Sequence, residues 1–210
     1  LTGEDLRHRP PGSWLTKALE YRPHRPRANP PEPAKRDIAY HYDLGNDFYE
    51  MFLDPTMSYS CAIFTEPQMS LEQAQLEKHR RICHKLQLHD GDHLLEIGCG
   101  WGGFAITAAR DFGARVTGVT ISAEQHAGAV QRVREAGLAD RVEILLADYR
   151  TLTGSFSKIA SIEMFEAVGR EYWPSFFATL RSKLKPGGRA CLQSITIRDD
   201  LFERYVHGTD

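Results

Sequence analysis

Long apolar runs are missing from this chain. The longest stretch without a charged side chain, Ile97 to Ala109, is 13 residues and holds four glycines. That is short of the roughly 18 that suggest a membrane-spanning helix. Cysteine is scarce as well. Four in 210 residues, at positions 61, 83, 99 and 191, have neither the close spacing of a zinc site nor the density of a disulfide scaffold, so they read as free thiols in a reducing cytoplasm. No repeat and no secretory leader is visible. A net charge of −2 and the lack of a basic stripe interleaved with aromatics argue against a nucleic-acid partner. The chain opens on Leu1 and its first methionine is Met51, so it is expected to belong to a longer gene product.

What charge there is lies unevenly. Residues 1–36 carry eight Lys/Arg against four Asp/Glu, and the rest carries 18 against 24. Seven of the eleven prolines fall within residues 1–34. This composition predicts a basic, extended connector over 1–36, read first as a solvated linker. Its Arg22, Arg25, Arg27, Lys35 and Arg36 are also the residues that can meet an anionic lipid surface. A domain over 37–210 follows.

From Ser70 the pattern is regular. "SLEQAQLEKHRRICHKLQL" reads as a helix with Ser70 and Gln73 in capping-box spacing. "HLLEIG", "ARVTGVTI", "RVEILLADY", "KIASIEMF" and "RACLQSITI" read as strands. Between them "FAITAARDF", "SAEQHAGAVQRVREAG" and "YWPSFFATLRSKL" read as helices, the last ended by "KPGG". Strands alternating with helices predict an α/β fold, a mainly parallel sheet with helices on both faces. Ligands in such sheets bind at the carboxyl ends of the strands.

The sequence "EIGCGWGG" sets Gly98, Gly100 and Gly102 between the first strand and its helix. The pattern is not that of a dinucleotide loop, and Glu96 just before it would repel a pyrophosphate while attracting a cationic amino-acid ligand. With "ADY" after the third strand, the block resembles the S-adenosylmethionine site of the Rossmann-like class I methyltransferases. The second strand ends in "VTISAEQ" without a clean acidic residue for a ribose. Ser122 and Gln125 read equally well as a capping box and as a ribose contact.

Before any strand stands "HYDLGNDFYEMFLDPTMSYSCAIF", six aromatic rings (Tyr42, Phe48, Tyr49, Phe52, Tyr59 and Phe64) in 24 residues, with Asp43, Asn46, Asp47 and Asp54 among them. A lid over a ligand fits this mixture better than a core strand does. Together with "LLEIGCGWGGFA" and "IASIEMFEAVGREYW", it resembles the cyclopropane-fatty-acyl-phospholipid synthases and mycolic acid cyclopropane synthases from about Asp37 onward. The resemblance implies an N-terminal helical lid. It implies transfer of a methyl from S-adenosylmethionine to the cis double bond of an unsaturated acyl chain of a membrane phospholipid, closing a cyclopropane ring. It implies bicarbonate as a bound base, held by a cluster to which Cys61 and Glu166 carry over. Gln193 stands where family members have histidine, so a methyl- or methylene-branched product is the alternative. For the cofactor it implies Tyr59, Ser60, Glu96, Gly98, Cys99, Gly100, Trp101, Gly102, Thr120, Ile121, Ser122, Gln125, Asp148, Tyr149 and Arg150, with Asp148 and Tyr149 beside the adenine. It places the protein in the cytoplasm, in peripheral contact with the inner membrane face, and admits a homodimer. The pocket-completing C-terminal part of the family is expected beyond Asp210. Two rival readings stay open: an alkaloid-type N-methyltransferase and a non-catalytic cofactor- or lipid-binding module.

Overall fold

The structure, a computed structural model, describes residues 46–202. The basic connector 1–36, the expected boundary at 36/37, and His41 and Tyr42 of the ring-rich stretch lie outside the described residues. The described residues fall in two units, one ending at Thr196 and one beginning at Ile197. Of the second, residues 197–202 are described, and there Arg198 pairs with Asp200 at 2.8 Å. The first unit carries everything that follows.

Its elements run α1 (Asn46–Glu50), α2 (Leu71–Leu86), β1 (His93–Ile97), α3 (Gly103–Phe112), β2 (Arg115–Thr120), α4 (Ala123–Glu135), β3 (Val142–Leu146), β4 (Phe156–Ile162), α5 (Trp173–Lys183) and β5 (Leu184–Gln193). The five strands pair in parallel in the order β3-β2-β1-β4-β5. β1 lies at the centre and is buried from Leu94 to Ile97, as a strand covered on both faces must be. Ile82, Leu86, Phe104, Ala108, Ala129 and Val133 of α2, α3 and α4 form one core with the sheet, and Phe176 and Leu180 of α5 pack with Leu95, Ile97 and Ile159 in another. The chain leaves β1 toward β2 and β3, then crosses back to β4. The strand order therefore reverses beside β1, and its carboxyl end is the place for a ligand.

Local chemistry explains the helix starts. At α2, Ser70 Oγ accepts from Gln73 N at 3.2 Å and Ser70 N donates to Gln73 Oε1 at 2.9 Å, a complete capping box. At α4 the box is half made. Ser122 Oγ accepts from Gln125 N at 3.2 Å, but Gln125 Oε1 accepts from Thr120 Oγ1 at 2.8 Å instead of reaching back.

Two expectations need correcting. "KPGG" does not end a helix ahead of a separate strand. β5 begins at Leu184 and carries these residues as a bulge, since Leu184 faces Phe156 and Arg189 already faces Lys158. The same strand stops at Gln193, because Glu163 N takes the Gln193 carbonyl at 2.8 Å and Ile195 N then turns to the Glu166 carboxylate. "SITI" is therefore outside the sheet. Among the described residues the lid is helical over Asn46–Glu50, and residues 51–69 form turns and loop. Asp54 explains part of this, its carboxylate accepting from Thr56 N at 2.9 Å and Ser58 N at 3.4 Å in place of a helical ladder.

Candidate active site

At the carboxyl ends of β1, β2 and β4 lies a cavity of about 630 Å³. Its floor is the glycine turn. Gly98, Gly100 and Gly102 take φ of 81°, 52° and 82°, conformations open to glycine without strain. A Cβ on Gly98 would come within 2.9 Å of Met164, whereas one on Gly100, which lines the cavity, would point into open space. Gly102 and Ser122 do not reach the wall. Gly102 caps α3 and lets Ala129 of α4 approach, and Ser122 caps α4.

The remaining residues expected around a cofactor line this one cavity. Glu96 leaves the end of β1, 3% exposed, with no hydrogen-bond partner for Oε2 among the described residues. Burial pushes its carboxyl well above the usual range, and the nearby Lys78 charge opposes that rise. Cys99 and Trp101 come from the glycine turn, and Thr120, Ile121 and Gln125 from the β2–α4 corner. Gln125 is buried, so the cap and the cavity wall share one residue. Asp148, Tyr149 and Arg150 follow β3. The Asp148 carboxylate grips the Arg150 guanidinium through bonds of 2.9 and 3.0 Å to Nε, and Tyr149 stands edge-on to Phe176 with ring centroids 5.7 Å apart. Tyr59 and Ser60 belong to the lid side.

The lid closes the cavity with rings. Phe48, Tyr49, Phe52 and Tyr59 line it, and Tyr49 lies 4.9 Å from Trp101, centroid to centroid. Trp101 Nε1 donates to Asn46 Oδ1 at 2.7 Å, tying α1 to the glycine turn. Phe64 stands outside the cavity, 56% exposed. Such walls suit a cationic ligand.

The predicted catalytic residues are arranged around one that the sequence reading passed over. Glu163 lines the cavity one residue past β4. Its Oε1 accepts from Cys61 N at 2.9 Å and from Gln193 Nε2 at 2.8 Å. The Gln193 amide must present nitrogen here, since a carboxylate only accepts. Gln193 Nε2 also reaches the Cys61 carbonyl at 3.3 Å. The Cys61 thiol is raised by the Glu163 charge and by hydrogen bonding to the same carboxylate. Cys61, Gln193 and Glu166 do not themselves line the cavity. Glu166 sits on the turn Phe165–Ala167 and holds Ile195 N. Glu163 has φ of +48°, a left-handed conformation that a non-glycine residue adopts at a cost of order 1–3 kcal/mol and mostly where the site needs it. A signal for it was present: a carboxylate at the ligand end of β4, closer to that end than Glu166.

This sheet order and glycine-floored cavity define the class: the Rossmann-like fold of the class I S-adenosylmethionine-dependent methyltransferases. A crystal structure of the mycolic acid cyclopropane synthase CmaA1 complexed with SAH and CTAB superposes with a TM-score of 0.75 at 34% identity, covering 81% of this chain and 60% of that one. The chain belongs to the mycolic acid cyclopropane synthetase family, whose model matches residues 30–208. It is 43% identical over 201 residues to a probable fatty acid methyltransferase of Pseudomonas putida, covering 85% of this chain and 51% of that protein. It is 48% identical over 155 residues to the cyclopropane-fatty-acyl-phospholipid synthase of Escherichia coli K12, covering 74% and 39%. The chain thus spans about half, or less, of the length of these relatives.

Proposed function

We propose that this chain serves C-methylation of the cis double bond of an unsaturated fatty acyl chain of a phospholipid, with Glu163 as the group that takes the final proton. The observation that carries this reading is the Glu163 carboxylate at the cavity wall, with one oxygen fixed between Cys61 N and Gln193 Nε2.

The residues fit S-adenosylmethionine. Glu96 Oε2, buried and without a hydrogen-bond partner among the described residues, suits the ammonium of an amino acid. Gln125 suits a ribose hydroxyl, Tyr149 the adenine, and the turn at Gly100 leaves room for the ligand. When bound, this cofactor supplies an electrophilic methyl on a sulfonium. The rings of Tyr49, Phe52 and Tyr59 keep water from the cation that methylation leaves on the acyl chain.

That cation must lose a proton from the new methyl. The C–H electron pair moves toward the cationic centre and the proton goes to the second oxygen of Glu163. Loss before any rearrangement closes a cyclopropane ring. Loss after a 1,2-hydride shift, which moves the charge to the methyl-bearing carbon, leaves a methylene branch. The methyl stays on the same carbon in both routes, so the timing of proton loss decides the product; we take the later loss, since Gln193, which carries no charge at neutral pH, stands where the resemblance implies histidine. The relative in P. putida is a probable fatty acid methyltransferase, which supports methylation of a fatty acyl chain. In this reading the chain itself supplies the base, in place of bicarbonate.

Among the described residues no helix is long and apolar enough to cross a membrane. We place the encounter with lipid at the cytoplasmic membrane surface, where the exposed Phe48, Met51, Phe52 and Phe64 can meet acyl chains. Mass spectrometry of lipids from cells making the protein tests the reading. The expected result is acyl chains heavier by one CH2, with fragments placing an exocyclic methylene. A ring would overturn the product, and unchanged lipids would overturn the reaction.

A further inference from the structure

Three buried side chains of α2 meet the lid. Gln75 Nε2 donates to the Ser60 carbonyl at 2.8 Å and to the Ser58 carbonyl at 3.3 Å. Lys78 Nζ donates to Ser60 Oγ at 2.6 Å. The third, His79, is 1% exposed and reaches two elements at once. Its Nε2 lies 3.1 Å from Ser58 Oγ of the lid, and its Nδ1 lies 3.1 Å from Thr107 Oγ1 of α3. Ser58 and His79 line the cavity, and Thr107 does not.

The direction of every hydrogen bond in this chain follows from its far end. The Thr107 hydroxyl has one proton and gives it to the Gly103 carbonyl at 3.0 Å, so toward His79 it accepts. His79 Nδ1 therefore carries the ring proton, since the partner of one ring nitrogen sets the state of the other. Burial pushes the imidazole down to about 3, so the ring is neutral and Nε2 is bare. A bare nitrogen accepts, and Ser58 Oγ gives its proton to it. The Ser58 oxygen in turn accepts from Thr56 Oγ1 at 2.8 Å. The protons thus run one way, from Thr56 through Ser58, His79 and Thr107 to Gly103. The lid backbone also sits directly on the start of α3, where a Cβ on Gly103 would collide with the Thr56 carbonyl.

Fastening the lid does not need this order, because Gln75 and Lys78 already hold Ser58 and Ser60. What the order decides is the polarity of the cavity wall. With its proton drawn back to His79, the Ser58 hydroxyl has only lone pairs left to offer a ligand. With the ring proton on Nε2, Ser58 would accept there, and its own proton would be free to turn toward the cavity. We propose that His79 is a positioning residue, oriented by Thr107, that turns the Ser58 proton away from the cavity so that the wall presents oxygen to the positive charge of S-adenosylmethionine. A dipole fixed in this way needs no reorganisation when the ligand arrives, and linked hydrogen bonds polarise one another in the same sense.

This inference rests on the cofactor reading above, and its test keeps the two apart. Thr107→Val nearly keeps the shape of the side chain, lies outside the cavity and removes the acceptor that holds the proton on Nδ1. The ring proton then moves to Nε2 and the Ser58 hydroxyl reverses. Calorimetry at neutral pH measures the affinity of the 210-residue chain for S-adenosylmethionine and for S-adenosylhomocysteine, the same molecule without the methyl and the sulfonium charge. In Thr107→Val the first weakens about tenfold, the scale of one hydrogen bond to a charged group, and the second by less than about threefold. The ratio of the two is the readout, because a merely structural loss weakens both alike. His79→Leu, which can neither donate nor accept, shifts the ratio in the same sense. His79→Gln keeps a donor and an acceptor on one amide and restores it. Thermal unfolding run alongside shows which variants are folded. NMR of the chain carrying ¹⁵N-labelled histidine, with the His79 signal identified by its loss in His79→Gln, needs no folded valine variant and shows the wild-type ring proton on Nδ1. A wild-type proton on Nε2, or a ratio that stays put in the folded Thr107→Val or His79→Leu variants, overturns the role of His79. Wild type that binds neither ligand overturns the cofactor site itself, whatever the state of the ring.

Discussion

Glu163→Gln is expected to bind S-adenosylmethionine as the wild type does and to turn over about 10²–10⁴-fold more slowly, the usual contribution of one positioned proton-transfer group. Glutamine keeps the shape and can still accept from Cys61 N and Gln193 Nε2, so the walls stay in place. What it loses is the ability to take a proton. The defect belongs in kcat and not in cofactor affinity, because the proton leaves after the methyl has moved. Removing bicarbonate from the assay should leave wild-type turnover unchanged. Turnover that collapses without bicarbonate, with Glu163→Gln near the wild-type rate, would return the base to a bound ion and leave Glu163 as scaffolding.

The second large effect is at Gly100. Its φ of +52° and the open space beyond its missing Cβ mean that a side chain there strains the turn and enters the cavity. Gly100→Val is expected to weaken S-adenosylmethionine binding by about 100-fold or more, roughly 3 kcal/mol. Calorimetry measures it, with thermal unfolding run alongside to show that the variant is folded. Undiminished affinity would place the cofactor elsewhere. Gly102→Ala makes the contrast, because that glycine faces Ala129 at 3.4 Å and not the cavity. Its effect should fall on stability.

Much of this was legible in the residues. Alternating apolar strands and capped helices stated the parallel sheet, and Ser70 with Gln73 stated where α2 begins. The glycine turn behind Glu96 stated the place of the cavity. The strand β5 was less legible, because its bulge and its end at Gln193 depend on Phe156, Glu163 and Glu166, residues far away in sequence. Past its helix at Asn46–Glu50 the lid runs as turns and loop, where Asp54 spends its carboxylate on the backbone of Thr56 and Ser58, which no helix period announces. The site was least legible at Glu163. Family resemblance drew attention to the carboxylate at 166, and reading "KIASIEMF" whole as a strand left Glu163 inside it, whereas the strand ends at Ile162. Only the paired donors Cys61 N and Gln193 Nε2, brought together from residues 61 and 193, separate the two. Lys78 was hidden for a related reason: one lysine on an amphipathic helix reads as solvated until its burial is seen.

The central claim, that a proton leaves the transferred methyl for a carboxylate of this chain, has a direct test. The protein is given S-adenosylmethionine bearing a trideuterated methyl, and the acyl product is weighed. Proton loss from the new methyl predicts that two of the three deuterons stay in the product, in the branch and in the ring alike, and that Glu163→Gln forms this product only slowly. A product that keeps all three deuterons would mean that the proton leaves a carbon of the acyl chain instead, and would contradict the account.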